Sequence, residues 1–128
     1  MPATTPHIMV VDDNESVLET IAMVLHCNAF RVSACTKLDD FTAGVLRLNP
    51  DLVLLDKSLG WADGAKLCTA LKTYEATSHI RVIMLSAFHN EREHCLASGA
   101  DAFLEKPFDL NELLRQVRAG TAQLLQPS

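Results

Sequence analysis

Five short runs of strand-forming apolar residues, each followed by an amphipathic stretch, most narrow the folds open to this chain. The runs are Ile8-Met9-Val10-Val11, Phe30 to Ala34, Leu52-Val53-Leu54-Leu55-Asp56, Val82-Ile83-Met84-Leu85 and Ala102-Phe103-Leu104. Between them the apolar period lengthens to that of a helix. Glu15 to His26 carries Val17, Leu18, Ile21, Val24 and Leu25 on one face, with Asn14 at the N-cap position. Leu38 to Leu48 repeats Leu38, Phe41, Val45 and Leu48, and Asn49-Pro50 ends it. Ala65 to Tyr74 turns Leu67, Cys68 and Leu71 inward, after a loop from Lys57 to Gly64. Glu91 to Ser98 closes at Gly99, a C′ residue. Leu110 to Leu125 forms the last helix, with Leu110, Leu113, Leu114, Val117, Leu124 and Leu125 apolar.

The strand runs are apolar without alternation, as required of strands covered on both faces. Five β–α units then imply a parallel sheet with helices on either side. Right-handed crossovers leave few topologies. The expected fold is α/β: a three-layer sandwich around a five-stranded parallel sheet, flavodoxin-like, in strand order 2-1-3-4-5. A length of 128 residues suits one domain spanning 1–128, with a core over about 7–125.

Composition removes several classes of function. Net charge is -5 and no lysine or arginine cluster exists, so no nucleic-acid surface is expected of this chain. Its longest apolar runs are too short to cross a bilayer. Met1 to Pro6 shows no basic region followed by an apolar stretch, so no signal peptide is expected. The four cysteines, Cys27, Cys35, Cys68 and Cys95, lack CxxC spacing; they read as reduced core or near-core residues of a cytoplasmic protein. His7, His26, His79, His89 and His94 show no HxxxH or HExxH spacing and read as surface or structural residues.

The chemistry lies at the strand ends. The first strand ends in Asp12-Asp13, the third in Asp56, the fourth in Ser86-Ala87, and the fifth is followed by Lys106-Pro107. In a parallel sheet these ends share the edge where open α/β sheets bind ligands. Two carboxylates about 5 Å apart, at an effective dielectric near 20, repel by roughly 3 kcal/mol. Lys106 offsets one charge, and the remainder calls for a raised pKa or a bound cation. Hard oxygen donors suit Mg²⁺, or Mn²⁺, held by Asp12, Asp13, Asp56 and a backbone carbonyl near Ser58. Such a site is organised for phosphoryl transfer, with Asp56 as nucleophile and with Ser86 Oγ and Lys106 on the phosphoryl oxygens. Taken singly, Asp12 and Asp13 would pass for helix N-terminal acids, Lys106-Pro107 for a turn and Ser86 for an ordinary strand end.

Four motifs together resemble a response regulator receiver domain over nearly the whole chain: Val10-Val11-Asp12-Asp13-Asn14, Leu54-Leu55-Asp56 with Asp63-Gly64, Met84-Leu85-Ser86-Ala87, and Lys106-Pro107-Phe108. The resemblance implies that Asp56 is the phosphoacceptor and that Asp12 and Asp13 are the metal-binding pair. It makes Ser86 the switch hydroxyl, Lys106 the family's lysine and Phe103 the switch aromatic, with core packing the plainer role for Phe103. It also implies a cis Lys106–Pro107 peptide. The donor would be a histidine kinase or a phosphotransfer protein, and the receiver of the signal a downstream output protein or a fused output domain. A dimer through the face of the fourth helix, fifth strand and fifth helix also fits. The chain would not be a turnover enzyme but would perform Mg-dependent self-phosphorylation and self-dephosphorylation only.

Some positions depart from the family pattern. Gly60 stands where proline is common, which frees the loop, and Trp61 follows it, either as a partner contact or as local packing. Ser58 and Phe88 occupy the two positions that influence phosphoryl lifetime, and neither offers a carboxylate or amide to orient water, so slow self-dephosphorylation is expected. Two other functions compete. One is a non-phosphorylated pseudo-receiver that only binds proteins, which the intact acids, Ser86 and Lys106 argue against. The other is an aspartate-nucleophile phosphatase, which needs a second acid where Lys57-Ser58 stands.

Overall fold

The computed structural model describes residues 5–122. Its elements alternate as β1 (His7–Val11), α1 (Glu15–Cys27), β2 (Arg31–Cys35), α2 (Leu38–Leu48), β3 (Leu52–Asp56), α3 (Gly64–Thr73), β4 (Arg81–Ser86), a 3₁₀ turn (His89–Glu91), α4 (Arg92–Ala97), β5 (Ala102–Glu105) and α5 (Leu110–Thr121). The strands form one parallel sheet in the order β2-β1-β3-β4-β5. This is the expected topology, with the order reversing between β1 and β3.

Strand periodicity sorts the core into two layers. Met9, Val11, Val53, Leu55, Val82 and Met84 face one side and pack with Phe41 and Val45 of α2, Cys68 and Leu71 of α3, and Cys95 of α4. Ile8, Val10, Leu52, Leu54, Ile83 and Leu85 face the other and pack with Leu18, Ile21 and Leu25 of α1 and Leu113, Leu114 and Val117 of α5. Every residue of β1 and β3 is buried, which accounts for their unbroken apolar runs.

Local signals set the helix ends. The Asn14 side chain accepts from the Ser16 and Val17 amides and caps α1. Asn49 ends α2 in the left-handed region at φ 46°, just before Pro50. Gly99, at φ +110°, follows α4.

Several expectations need correction. Cys27 is exposed, while Cys35, Cys68 and Cys95 are buried. At about 100° per residue Cys27 lies roughly 200° around α1 from Leu25, on its solvent face. Leu38 and Leu110, each the first residue of its helix, are also exposed. Leu67 is only half-buried; Gly64 and Ala65 lie on the inner face of α3 with Cys68 and Leu71. The helix expected over Glu91 to Ser98 is present as α4, Arg92–Ala97, and a 3₁₀ turn over His89–Glu91 precedes it. Leu124 and Leu125, the end of the expected core, and the first four residues lie outside the described residues.

Candidate functional site

The reversal of strand order opens a crevice at the C-terminal edge of the sheet, between β1 and β3. Asp12, immediately after β1, is fully buried; its Oδ1 accepts the Asn14 amide at 2.9 Å and its Oδ2 lies 2.8 Å from Lys106 Nζ. Asp13 is exposed, and its Oδ2 accepts the Gly60 amide at 2.9 Å, which fastens the loop after β3 to the end of β1. Asp56, the last residue of β3, is 6% exposed. Its Oδ1 accepts the Ser58 amide at 3.4 Å, and its Oδ2 lies 3.5 Å from Lys106 Nζ.

Asp12, Asp13 and Asp56 each offer one carboxylate oxygen, and these oxygens lie within 4.8 Å of one another. Oxygen donors so close, two of them on buried residues, fit a hard divalent cation. Burial pushes the Asp56 carboxyl up to about 6 from its ordinary 3.8. The Lys106 charge opposes the rise and the Asp12 charge adds to it. A cation bound beside these carboxylates would favour the ionised form of Asp56 against the cost of its burial.

Lys106 reaches the site because its amide bonds the Ser86 carbonyl at 2.7 Å, which joins the ends of β4 and β5. Its peptide bond to Pro107 is cis, as expected. Ser86 is 2% exposed, but its hydroxyl makes a bond that the sequence did not announce. Oγ accepts the Phe88 amide at 3.0 Å and donates to the carboxylate of Glu91, at the end of the 3₁₀ turn. Glu91 in turn lies 3.4 Å from Lys57 Nζ, which lies 3.3 Å from Asp63 Oδ1. Burial disfavours the Lys57 ammonium, yet the hydrogen bonds and charges of Asp63 and Glu91 raise its pKa on balance. Asp63 also caps α3 through the Ala65 amide. Burial works against its charged form, but that bond and Lys57 bring its pKa below the ordinary value.

Thus the structure brings Asp12, Asp13, Asp56 and Lys106 together, with Ser58 held against Asp56, and turns the Ser86 hydroxyl toward Glu91. Phe103 is 7% exposed and belongs to the core, with the Arg92 guanidinium 6.0 Å over its ring. Phe103 thus has the core packing that was the plainer of its two expected roles, and a switching role for it would be a repacking within the core. Trp61 is partly buried and packs against the same core, as the local-packing reading expects. His7 is a buried structural residue whose Nε2 pairs with Ser33 Oγ at 2.6 Å. Glu91 and Lys57 were missed because their pairing depends on how two loops fold toward each other. No residue spacing records that.

Comparison with known proteins agrees with this geometry. The family model described as "Response regulator receiver domain" matches residues 8–118. The DNA-binding dual master transcriptional regulator RpaA of Synechocystis is 34% identical over 116 residues, covering 89% of this chain and 48% of that protein. The phosphate regulon transcriptional regulatory protein PhoB of Rhizobium meliloti is 34% identical over 116 residues, covering 89% of this chain and 51% of that protein. The chain thus spans about half the length of these curated relatives. A putative response regulator from Chloroflexus aurantiacus superposes with a TM-score of 0.88 at 24% identity, over 93% of this chain and 99% of that one. At that identity it speaks for the fold alone.

Proposed function

Since the chain belongs to the response regulator receiver domain family of two-component systems, we propose that it is a single phosphoacceptor domain that takes a phosphoryl group onto Asp56. The convergence of the Asp12, Asp13 and Asp56 carboxylates with Lys106 at one sheet edge supports this function. The donor is the phosphohistidine of a histidine kinase or phosphotransfer protein. An oxygen of Asp56 attacks phosphorus, the O–P bond forms as the P–N bond breaks, and the imidazole departs with its electron pair. The product is an acyl phosphate on Asp56.

Asp12, Asp13, Asp56 and the Ser58 carbonyl would hold the Mg²⁺ or Mn²⁺ ion, which supplies neutralising charge to the phosphoryl oxygens. The chain's own groups do the rest by position and charge. Burial leaves the Asp56 oxygens weakly solvated, and the Lys106 ammonium beside them favours the ionised, nucleophilic form. Lys106 Nζ, between Asp12 and Asp56, needs only a small shift to bind a phosphoryl oxygen as a point charge. Ser86 Oγ binds a second oxygen once it turns from Glu91. The added charge is close to two units, and it biases the packing of Phe103 and so the face formed by α4, β5 and α5. That face would engage an output protein, a fused output domain or a second copy. No described helix is long and apolar enough to cross a membrane. The proposed role is cytoplasmic signalling, without membrane or nucleic-acid contact by this chain.

The test is incubation with acetyl phosphate and Mg²⁺, followed by mass spectrometry. Wild type should gain the mass of one phosphoryl group and Asp56→Asn none. A wild type that stays unmodified, yet folds and binds Mg²⁺, would identify a pseudo-receiver that only binds proteins. Turnover of an external phosphoester would identify a phosphatase.

A further inference from the structure

The Ser86 hydroxyl has one proton to give, and in this structure it is given to Glu91. The same oxygen already accepts the Phe88 amide, so both roles of the hydroxyl are filled within the turn that follows β4. Glu91 is not a passive acceptor. Its other carboxylate oxygen faces Lys57, which is anchored by Asp63 at the start of α3, so Lys57 holds the carboxylate in place and balances its charge. The chain Ser86–Glu91–Lys57–Asp63 therefore runs from the end of β4, through the start of α4, to the residue after Asp56 and on to α3.

We propose that Glu91 is a positioning residue for phosphoacceptance: it holds the Ser86 hydroxyl proton until a phosphoryl group on Asp56 competes for it. The inference rests on phosphoacceptance at Asp56. One hydroxyl proton cannot serve a carboxylate and a phosphoryl oxygen together, so occupancy of the acceptor must break the Ser86–Glu91 bond. A bond to an ionised acceptor is about twice as strong as one between neutral groups. The resting state is thus favoured by a charge-assisted bond that the phosphorylated state gives up. Glu91 also ends the 3₁₀ turn and precedes α4, so its release hands a charged side chain at the start of α4 back to Lys57 alone. The state of the acceptor is thereby communicated to α4 through a polar link distinct from any repacking of Phe103.

The experiment titrates beryllofluoride, a phosphoryl mimic, in Mg²⁺ into wild type, Glu91→Gln, Glu91→Ala, Ser86→Ala and the double variant Glu91→Gln with Ser86→Ala. The bound fraction is read from the ¹⁹F resonance of the protein-held fluoride. Glu91→Gln keeps the side-chain shape and should bind about tenfold more tightly than wild type, equivalent to about 1.4 kcal/mol. Glu91→Ala should tighten binding in the same direction. In the Ser86→Ala background the Glu91→Gln gain should vanish, because no hydroxyl proton remains to be released. Equal gains in both backgrounds would reduce Glu91 to a bulk charge and overturn the proposal. Unchanged affinity in Glu91→Gln would overturn it too, as would loss of the fold in both Glu91 variants. Wild type that binds Mg²⁺ but no beryllofluoride would instead defeat phosphoacceptance itself, and the inference with it.

Discussion

Replacing Asp56 with asparagine should stabilise the cation-free protein at neutral pH, although it removes the acceptor. The Asp56 carboxyl is pushed up to about 6 in the fold from its ordinary 3.8, chiefly by burial. Between those values the native state binds more protons than the unfolded state, so this group makes stability fall as pH rises. Its full contribution is present below the unfolded pKa and is lost as pH climbs through about 6. The gap between the two values corresponds to roughly 3 kcal/mol at neutral pH. That figure is an upper bound, because the asparagine amide must find new partners and Lys106 keeps Asp12 at 2.8 Å. A gain of about 1–3 kcal/mol would raise the melting temperature by roughly 3–10 °C. Melting both proteins in a chelating buffer, from about pH 4 upward, isolates the effect of this site, since the titrations of groups remote from Asp56 cancel in the difference. The two curves should meet near the acid end and separate through the window that ends at about 6. Added Mg²⁺ should then raise the wild type selectively and narrow the gap. Parallel curves, or an Asp56→Asn variant no more stable than wild type at neutral pH without cation, would refute the reasoning that burial and like charge load this carboxylate.

Lys106→Met should destabilise the fold by about 3 kcal/mol in urea titrations, because fully buried Asp12 loses the ammonium 2.8 Å from it, and Mg²⁺ should restore much of the loss. Gly64→Ala should cost about 1–3 kcal/mol by the same measurement and should also slow acetyl-phosphate labelling. Its Cβ would lie 2.1 Å from the Asp56 carbonyl oxygen and 2.8 Å from Lys57 Cα, both backbone atoms that cannot step aside. The aspartyl phosphate should decay slowly, since exposed Ser58 and Phe88 provide no carboxylate or amide to align a water; placing glutamate at Phe88 should shorten its lifetime, followed by loss of the phosphoryl mass with time.

The fold was legible because its signals are periodic. Buried runs such as Leu52 to Leu55 read as strands covered on both faces, and Asn14, Asn49 and Gly99 marked helix ends through backbone chemistry that belongs to one residue each. Periodicity was less informative at the helix margins, where Leu38 and Leu110 are exposed as the first residues of their helices and Cys27 falls on the solvent face of α1. Within the site, the placement of Asp12, Asp13, Asp56 and Lys106 followed from strand ends in a parallel sheet, which topology alone brings together. The Ser86–Glu91 bond and its Lys57 support did not follow from anything linear. They depend on the path of the turn after β4, and a short 3₁₀ turn leaves no apolar repeat by which to trace that path.

The segment after Asp56 is clamped at several points. The Gly64 amide bonds the Lys57 carbonyl at 2.8 Å, Ser58 bridges Asp63, and the Gly60 amide grips Asp13. At its far end a missing side chain lets α3 press directly on the backbone of the acceptor. A wall built this way behaves as an anvil. If Asp56 takes up a phosphoryl group as proposed, displacement should emerge on the opposite side, where side-chain bonds of Ser86 and Glu91 hold the turn after β4.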